Sequence, residues 1–454
     1  MGIVKEEIIV DYILANFKLK YEVDDSYLNI DYNSSKEAKI KIDHSGSGYF
    51  NTNIELDLQS VFFKEWNGNN IPFLFGDSQR PLIIFDDNKC TINADIIASS
   101  FYFLTGWQEQ FIKDVDRYGR FPFKESIQKK LDFTYVPVVN YYFDLLKSAI
   151  EKTYSVKISL RNKANLQAII SHDIDELETL WLQEGYHALK KGNIFALPGI
   201  LWNQLQRNKQ SNDSIKSILQ LNSDFGIHSD FFFLCNNSND GVYKNADYNI
   251  NSGIAHKAID DVLHSGNEIG VHGSFFTHQS DDKLSKDIRI LEKVTRKKIR
   301  GNRFHFLSYD SLITPAVLQD CRIQYDSTLG FAEHIGFRNS YADVFFLFDL
   351  KKFQSTTVIE FPLSLMDASL YFPHYMNCNY KQSVDEANRL IAEVEKVHGV
   401  LVINWHNSSY LKFKNNWLNP LLKEILSICR GKNALFTTMP EMVQFIQPAK
   451  TIPR

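Results

Sequence analysis

Leu166-Gln-Ala-Ile-Ile-Ser-His-Asp-Ile-Asp-Glu176 is the stretch on which the reading of this chain turns. Its apolar run, closed by Ile169 and Ile170, breaks off at Ser171-His172-Asp173-Ile174-Asp175. Short apolar runs of this kind read as buried strands, and a buried strand carries a carboxylate only against a strong partner. The polar cluster is therefore expected at a strand end, where a parallel α/β sheet opens to solvent and ligands bind. Residues two apart on an extended backbone point the same way, so Asp173 and Asp175 face one cavity. Two carboxylates brought together perturb each other's ionisation unless a cation lies between them. Taken alone, the pair is either a metal ligand beside a general base or two acids on an exposed turn.

Downstream of this stretch the chain alternates strand, polar loop and helix. Apolar strands are expected at Ser229–Leu234, Asn267–Val271, Val358–Phe361, Val400–Asn404 and Ala434–Phe436, with helices at Ser211–Leu221, Ile254–Leu263, Lys283–Thr295, Thr314–Asp320, Val384–Lys396 and Leu421–Cys429. That alternation predicts an α/β fold, a parallel sheet wrapped by helices and either open or closed into a barrel. Upstream, residues 1–160 read as a smaller α/β unit. Its helices are expected at Glu7–Phe17, Ala94–Leu104 and Val138–Ile150, and its strands at Ile40–Ile42, Ile54–Leu58 and Pro81–Phe85. With 454 residues the chain exceeds what one core usually organises, and the boundary falls between a 1–160 domain and a 165–450 domain. The loop Asp116-Arg-Tyr-Gly-Arg-Phe121 reads as a docking surface between them.

Composition narrows the function. A net charge of −4 gives no electrostatic reason to expect nucleic acid or an anionic membrane as partner. The N-terminus carries Glu6 and Glu7 where a secretory signal needs a basic flank, and no window offers a bilayer-spanning apolar run. The five cysteines are scattered, with no CxxC pair; this usage is that of reduced thiols in a cytoplasmic protein. The abundant aromatics, 34 Phe and 21 Tyr, suit a core and also a sugar-binding cleft.

Several segments of the second unit end on chemically capable residues: Asp173 and Asp175, then Val271-His-Gly-Ser-Phe-Phe-Thr-His278, Gly301-Asn-Arg-Phe-His305 and Ile403-Asn-Trp-His-Asn407. A parallel sheet gathers such ends at one face. One aspartate with two histidines is a usual ligand set for a catalytic divalent ion that keeps an open water position.

In order along the chain, Ser171-His-Asp-Ile-Asp175, Glu268-Ile-Gly-Val-His-Gly-Ser274, Gly301-Asn-Arg-Phe-His-Phe-Leu307, Glu360-Phe-Pro-Leu363 and Val402-Ile-Asn-Trp-His-Asn407 resemble the motifs of the polysaccharide deacetylases, carbohydrate esterase family 4, built on the NodB-homology domain. Ala94-Asp-Ile-Ile-Ala-Ser-Ser-Phe-Tyr-Phe-Leu-Thr105 and Tyr118-Gly-Arg-Phe121 are similar to the uncharacterised N-terminal domain of one bacterial branch. The resemblance implies a distorted (β/α) barrel of about seven strands and a metal-dependent hydrolysis that removes an N-acetyl group from an amino sugar or glycan precursor. It implies Asp173 as general base, Asp175 and His272 as metal ligands, Arg303 as the partner that keeps Asp173 ionised, and His406 as general acid, with Asp367 as a candidate for tuning it. The implied cofactor is a divalent metal, zinc foremost, and the implied partner a carbohydrate.

One position departs from the pattern. The usual third ligand lies four residues after the first histidine, and Phe276 stands there. His278 is the first choice to replace it, His305 the rival, and His172 is weaker because it points the other way along an ideal strand. The alternatives to a deacetylase are a non-catalytic glycan-binding or assembly protein on the same barrel and a cyclic-amide hydrolase.

Overall fold

The structure is a computed structural model that describes residues 2–32, 38–52, 54–190, 192–199, 213–238, 243–411 and 416–446. The first two residues of the helix expected from Ser211, and the 447–450 end of the second expected domain, lie outside them. The protein is mixed α/β. In its first 160 residues are the strands β1 (Tyr21–Glu22), β2 (Ile30–Asp31), β3 (Ile40–Ile42), β4 (Phe62–Trp66), β5 (Asn69–Phe73), β6 (Ile83–Asp86), β7 (Lys89–Ile92) and β8 (Ser159–Leu160). Strands β2-β3-β7-β6 form one small sheet, β4-β5 a hairpin and β1-β8 a pair. Helices Gly2–Lys20, Ile96–Leu104 and Val138–Tyr154 pack around them.

The expected strand Ile54–Leu58 is absent. Its alternation finds no neighbouring strand to pair with, Ile54 is 65% exposed, and Asp57 instead caps a following turn by accepting from the Gln59 amide. The strand expected at Pro81–Phe85 forms as β6, which pairs antiparallel with β7 in a hairpin.

The remaining strands are β9 (Gln167–Ile174), β10 (Asp230–Leu234), β11 (Glu268–Gly273), β12 (Gly301–Phe304), β13 (Tyr325–Asp326), β14 (Phe345–Asp349), β15 (Gln354–Glu360), β16 (Leu363–Met366), β17 (Val400–Asn404) and β18 (Leu435–Phe436). They make one curled sheet in the order β14-β15-β13-β12-β11-β10-β9-β17-β16, with β18 paired to β9 beside β10. All pairs are parallel except β14-β15. The count exceeds the expected number because β14, β16 and β18 are short or lie at edges. A single segment, 354–366, serves both ends of the sheet: β15 pairs with β13, the Phe361 and Leu363 amides donate to Asp326 and Leu329, and β16 pairs with β17. The sheet curls because one bent stretch belongs to both its flanks.

The exposed edge β14 is covered rather than left open, as edge strands usually are. Tyr12 donates to the Phe346 carbonyl and Asn16 accepts from the Phe346 amide, both from helix Gly2–Lys20. Buried ion pairs join the two halves of the chain: Lys20 with Asp343 at 2.7 Å and Arg338 with Glu109 at 2.9 Å. One apolar cluster runs through both, with Ile9, Phe17, Phe101 and Phe143 alongside Tyr341, Phe345 and Phe348.

Candidate metal centre

The β9 strand continues past Ile170 through Ile174, so that Ser171, His172 and Asp173 lie inside it rather than beyond its end, and Asp173 is buried. Such burial is tolerable because partners supply what water would. Arg303 Nη1 donates to Asp173 Oδ1 at 3.0 Å, and Asn404 Nδ2 to Oδ2 at 2.7 Å. Burial alone would raise the Asp173 carboxyl, but Arg303 first, then His272 and His406, hold it below the usual carboxylate range. Arg303 is itself immobilised. Its Nε donates to the Ser327 carbonyl and its Nη2 to Ser327 Oγ, each at 2.8 Å, and its guanidinium lies over the Phe232 ring.

Parallel register carries the other groups to the same rim. His272 on β11 pairs with Leu234 and Arg303, and Asp173 pairs with Phe232. His272 Nδ1–H donates to the Arg303 carbonyl at 2.7 Å, which fixes the ring tautomer and leaves the Nε2 lone pair facing Asp175. Asp175 Oδ1, a His272 nitrogen and a His305 nitrogen lie within 4.8 Å of one another. Donors about 2.1 Å from a tetrahedral ion stand about 3.4 Å apart. The Asp175 Oδ1–His272 Nε2 and Asp175 Oδ1–His305 Nδ1 separations are 3.4 and 3.6 Å. Among the described residues, Asp175 Oδ1 and His305 Nδ1 are buried without a hydrogen-bond partner, and orphaned lone pairs converging on one point fit a cation. Burial pushes the His305 imidazole down to about 4, the neutral form a ligand needs. Asp175 is held below its ordinary value; burial opposes this, and His305 and His272 outweigh it. Without a cation, His272 is raised, because Asp173 and Asp175 overcome the effect of burial.

His278, the first choice of third ligand, lies outside this group, and His305, its rival, lies within it. Phe276 adopts a left-handed backbone conformation (φ +70°) and opens a short turn over Thr277–Gln279. That turn buries His278 among apolar rings, 6.1 Å from Phe304 and 6.4 Å from Phe275 between centroids. Its Nδ1 is unpartnered there, and burial pushes it down to about 4. His172 points away from the rim, its Nδ1 2.8 Å from the Trp405 carbonyl.

Across the site, His406 follows β17. Its Nδ1 hydrogen-bonds Asp367 Oδ1 at 2.6 Å, its backbone amide donates to Oδ2, and Ser409 also donates to that carboxylate. Its Nε2 stands 3.9 Å from Asp173 Oδ2. Burial would lower His406, but Asp367 foremost, with Asp175 and Asp173 beyond, pushes it up to about 10. The arrangement is an anionic carboxylate and a cationic imidazole facing each other beside a converging donor set.

Two positioning residues were not assigned from the sequence. Asn404 closes the apolar run Val400–Ile403 at the same register level as Ser171, and that abrupt polar ending is the signal that could have found it. Ser327 follows a two-residue strand with no periodic signal.

Residues 4–155 match a family of unknown function, DUF7033. No curated protein matches the chain. Among solved structures it is similar to a protein from Mycobacterium smegmatis assigned as a polysaccharide deacetylase, at 16% identity and a TM-score of 0.43, over 65% of this chain and 95% of that one. It is similar to the allantoinase Puue at 12% identity and a TM-score of 0.43, over 64% and 93%. It is also similar to the chitin deacetylase of Colletotrichum lindemuthianum at 12% identity and a TM-score of 0.34, over 62% and 88%.

Proposed function

We propose that this chain is a metal-dependent hydrolase that removes an N-acetyl group from an amino sugar or glycan precursor, with Asp175, His272 and His305 holding a divalent ion, zinc foremost. The observation that carries this reading is the convergence of three donors, two of them orphaned and buried, beside Asp173 and His406. When bound, such an ion lowers the pKa of its water and polarises an amide carbonyl.

The protein side chains divide the proton work. Asp173, kept anionic by Arg303 and Asn404, accepts a proton from the attacking water. His406, kept protonated by Asp367, has Nε2 turned toward the same space and delivers a proton to the departing amine. Arg303 and Asp367 touch no reacting atom; they hold charge and orientation. A sugar substrate is supported by the aromatic surface beside the site. Phe276 is 45% exposed, next to Phe275, which stacks on Tyr243 at 4.0 Å between ring centroids. Such faces suit the apolar side of a pyranose ring.

The test is acetate release from N-acetylated amino sugars and their oligomers by zinc-loaded protein. Asp173→Asn, which keeps the shape and removes the base, is expected to lose about 10²–10⁴-fold in kcat while retaining zinc. Undiminished release by that variant overturns the assignment of the base; absence of zinc and of turnover in the wild type overturns the reading.

A further inference from the structure

His272 and His305 are held in different ways. The His272 ring is anchored through its second nitrogen to the Arg303 carbonyl, the usual arrangement for a metal-ligating histidine. Among the described residues no hydrogen bond anchors the His305 ring, and its Nδ1 faces Asp175. Its aim depends on the backbone that follows, and that backbone is unusual. Phe306 (φ +60°) and Leu307 (φ +56°) are consecutive non-glycine residues in the left-handed region. Side chains disfavour that conformation, and it persists only where surroundings enforce it.

Leu307 is buried with Ile169, Phe232 and Tyr325 of the sheet, whereas Phe306 is held in part by the N-terminal part of the chain. Arg120 Nη1 donates to the Phe306 carbonyl at 3.1 Å. Tyr118 stacks on the Phe306 ring, 4.3 Å between centroids and 17° between planes. Phe306 also packs edge-on against Phe275, 5.7 Å between centroids, and against His305 itself, ring to ring at 3.8 Å and nearly perpendicular. Arg120 is fixed in turn: its Nε donates to Asp116 Oδ2 at 2.6 Å and its Nη2 to the Tyr375 hydroxyl at 3.2 Å. Asp116 Oδ1 accepts from the Tyr118 and Arg120 amides, and Gly119 (φ +73°) supplies the reversal that only glycine makes without strain. The 116–120 loop is thus a rigid hook whose tip rests on the residue next to a candidate ligand.

We propose that this loop is a positioning device for His305: Arg120 and Tyr118 act through Phe306 to hold the left-handed turn that aims the imidazole at Asp175. The inference rests on the metal-centre reading above, and it gives the N-terminal unit a place in the active site beyond covering an edge strand. It also accounts for how a ligand set lacking the usual third position is completed, since the replacement histidine precedes a turn that Arg120 and Tyr118 help to hold.

The experiment titrates the full-length apoprotein with cobalt(II), reading the dissociation constant by chelator competition and the coordination by the visible d–d absorption. The variants are Arg120→Met, Tyr118→Leu and Tyr118→Phe. Asn16→Ala serves as control, because it cuts the Phe346 contact at the same interface far from the loop. Arg120→Met is expected to weaken cobalt binding about 10–100-fold, the usual cost of losing an outer partner of a ligand, with an altered d–d band. Tyr118→Leu weakens it in the same direction, and Tyr118→Phe, which keeps the stack, binds as wild type. Asn16→Ala lowers the Tm and leaves affinity and spectrum unchanged. Should Arg120→Met not fold, Tyr118→Leu against Tyr118→Phe decides alone. Wild-type affinity and spectrum in Arg120→Met or Tyr118→Leu, or a loss that follows Tm equally in Asn16→Ala, overturns the positioning role. Failure of the wild type to take up cobalt overturns the site reading, a result distinct from either.

Discussion

His172 and Asp173 are adjacent, both buried and both pushed down by their surroundings, which leaves the imidazole neutral and the carboxylate charged. Asp173 faces Arg303 and stays ionised. His172 faces the other way, packs beside Phe231, and is pushed down to about 4 by burial, which outweighs its bond to the Trp405 carbonyl and the nearby Asp173 and Asp367. The folded state therefore refuses a proton that the unfolded chain accepts near pH 6.5. The stabilisation from His172 is complete above that pH and is lost as pH falls toward 4. Between pH 7 and pH 5 the apoprotein should lose about 2 kcal/mol from this residue alone. Urea denaturation at both pH values checks it: His172→Gln should lose about that much less than wild type, and equal losses would remove His172 from the account.

Among the elements, β17 shows how closely the curled sheet packs on its neighbours. Its strand begins after Gly399, where an added Cβ would lie 2.3 Å from the Ala342 carbonyl oxygen, and where the Val400 amide donates to that same carbonyl. The backbones cannot separate without breaking the bond, so Gly399→Ala is expected to cost about 1–3 kcal/mol. A lowered urea midpoint at unchanged m-value would show it, and an unaltered midpoint would mean the approach relaxes. The β9 and β17 strands were legible from the apolar runs Ala168–Ile170 and Val400–Ile403, each followed by a polar residue, and the His406–Asp367 pairing was legible as a candidate. The choice between His278 and His305 was not. The two histidines are placed by left-handed turns at Phe276, Phe306 and Leu307, and phenylalanine and leucine give no signal for that conformation. The Asp116–Arg120 loop was read as a docking surface, and it docks; what it docks onto is invisible in a sequence that separates Arg120 from Phe306 by 186 positions.

At the scale of the whole molecule, the apolar core passes from the N-terminal helices into the curled sheet, and buried pairs Lys20–Asp343 and Arg338–Glu109 cross with it. Breaking such pairs leaves uncompensated charge, at a cost of about 3–5 kcal/mol each. A 161–454 fragment is therefore expected to expose that surface, bind hydrophobic dyes and show no cooperative thermal transition. A fragment that unfolds cooperatively with the Tm of the whole chain would contradict a shared core. The account as a whole depends on where one ion sits. Anomalous diffraction from a zinc-soaked crystal tests this most directly. The account predicts a single peak about 2.0–2.2 Å from Asp175 Oδ1, His272 Nε2 and His305 Nδ1, whereas a peak ligated by His278, or none at this rim, would contradict it.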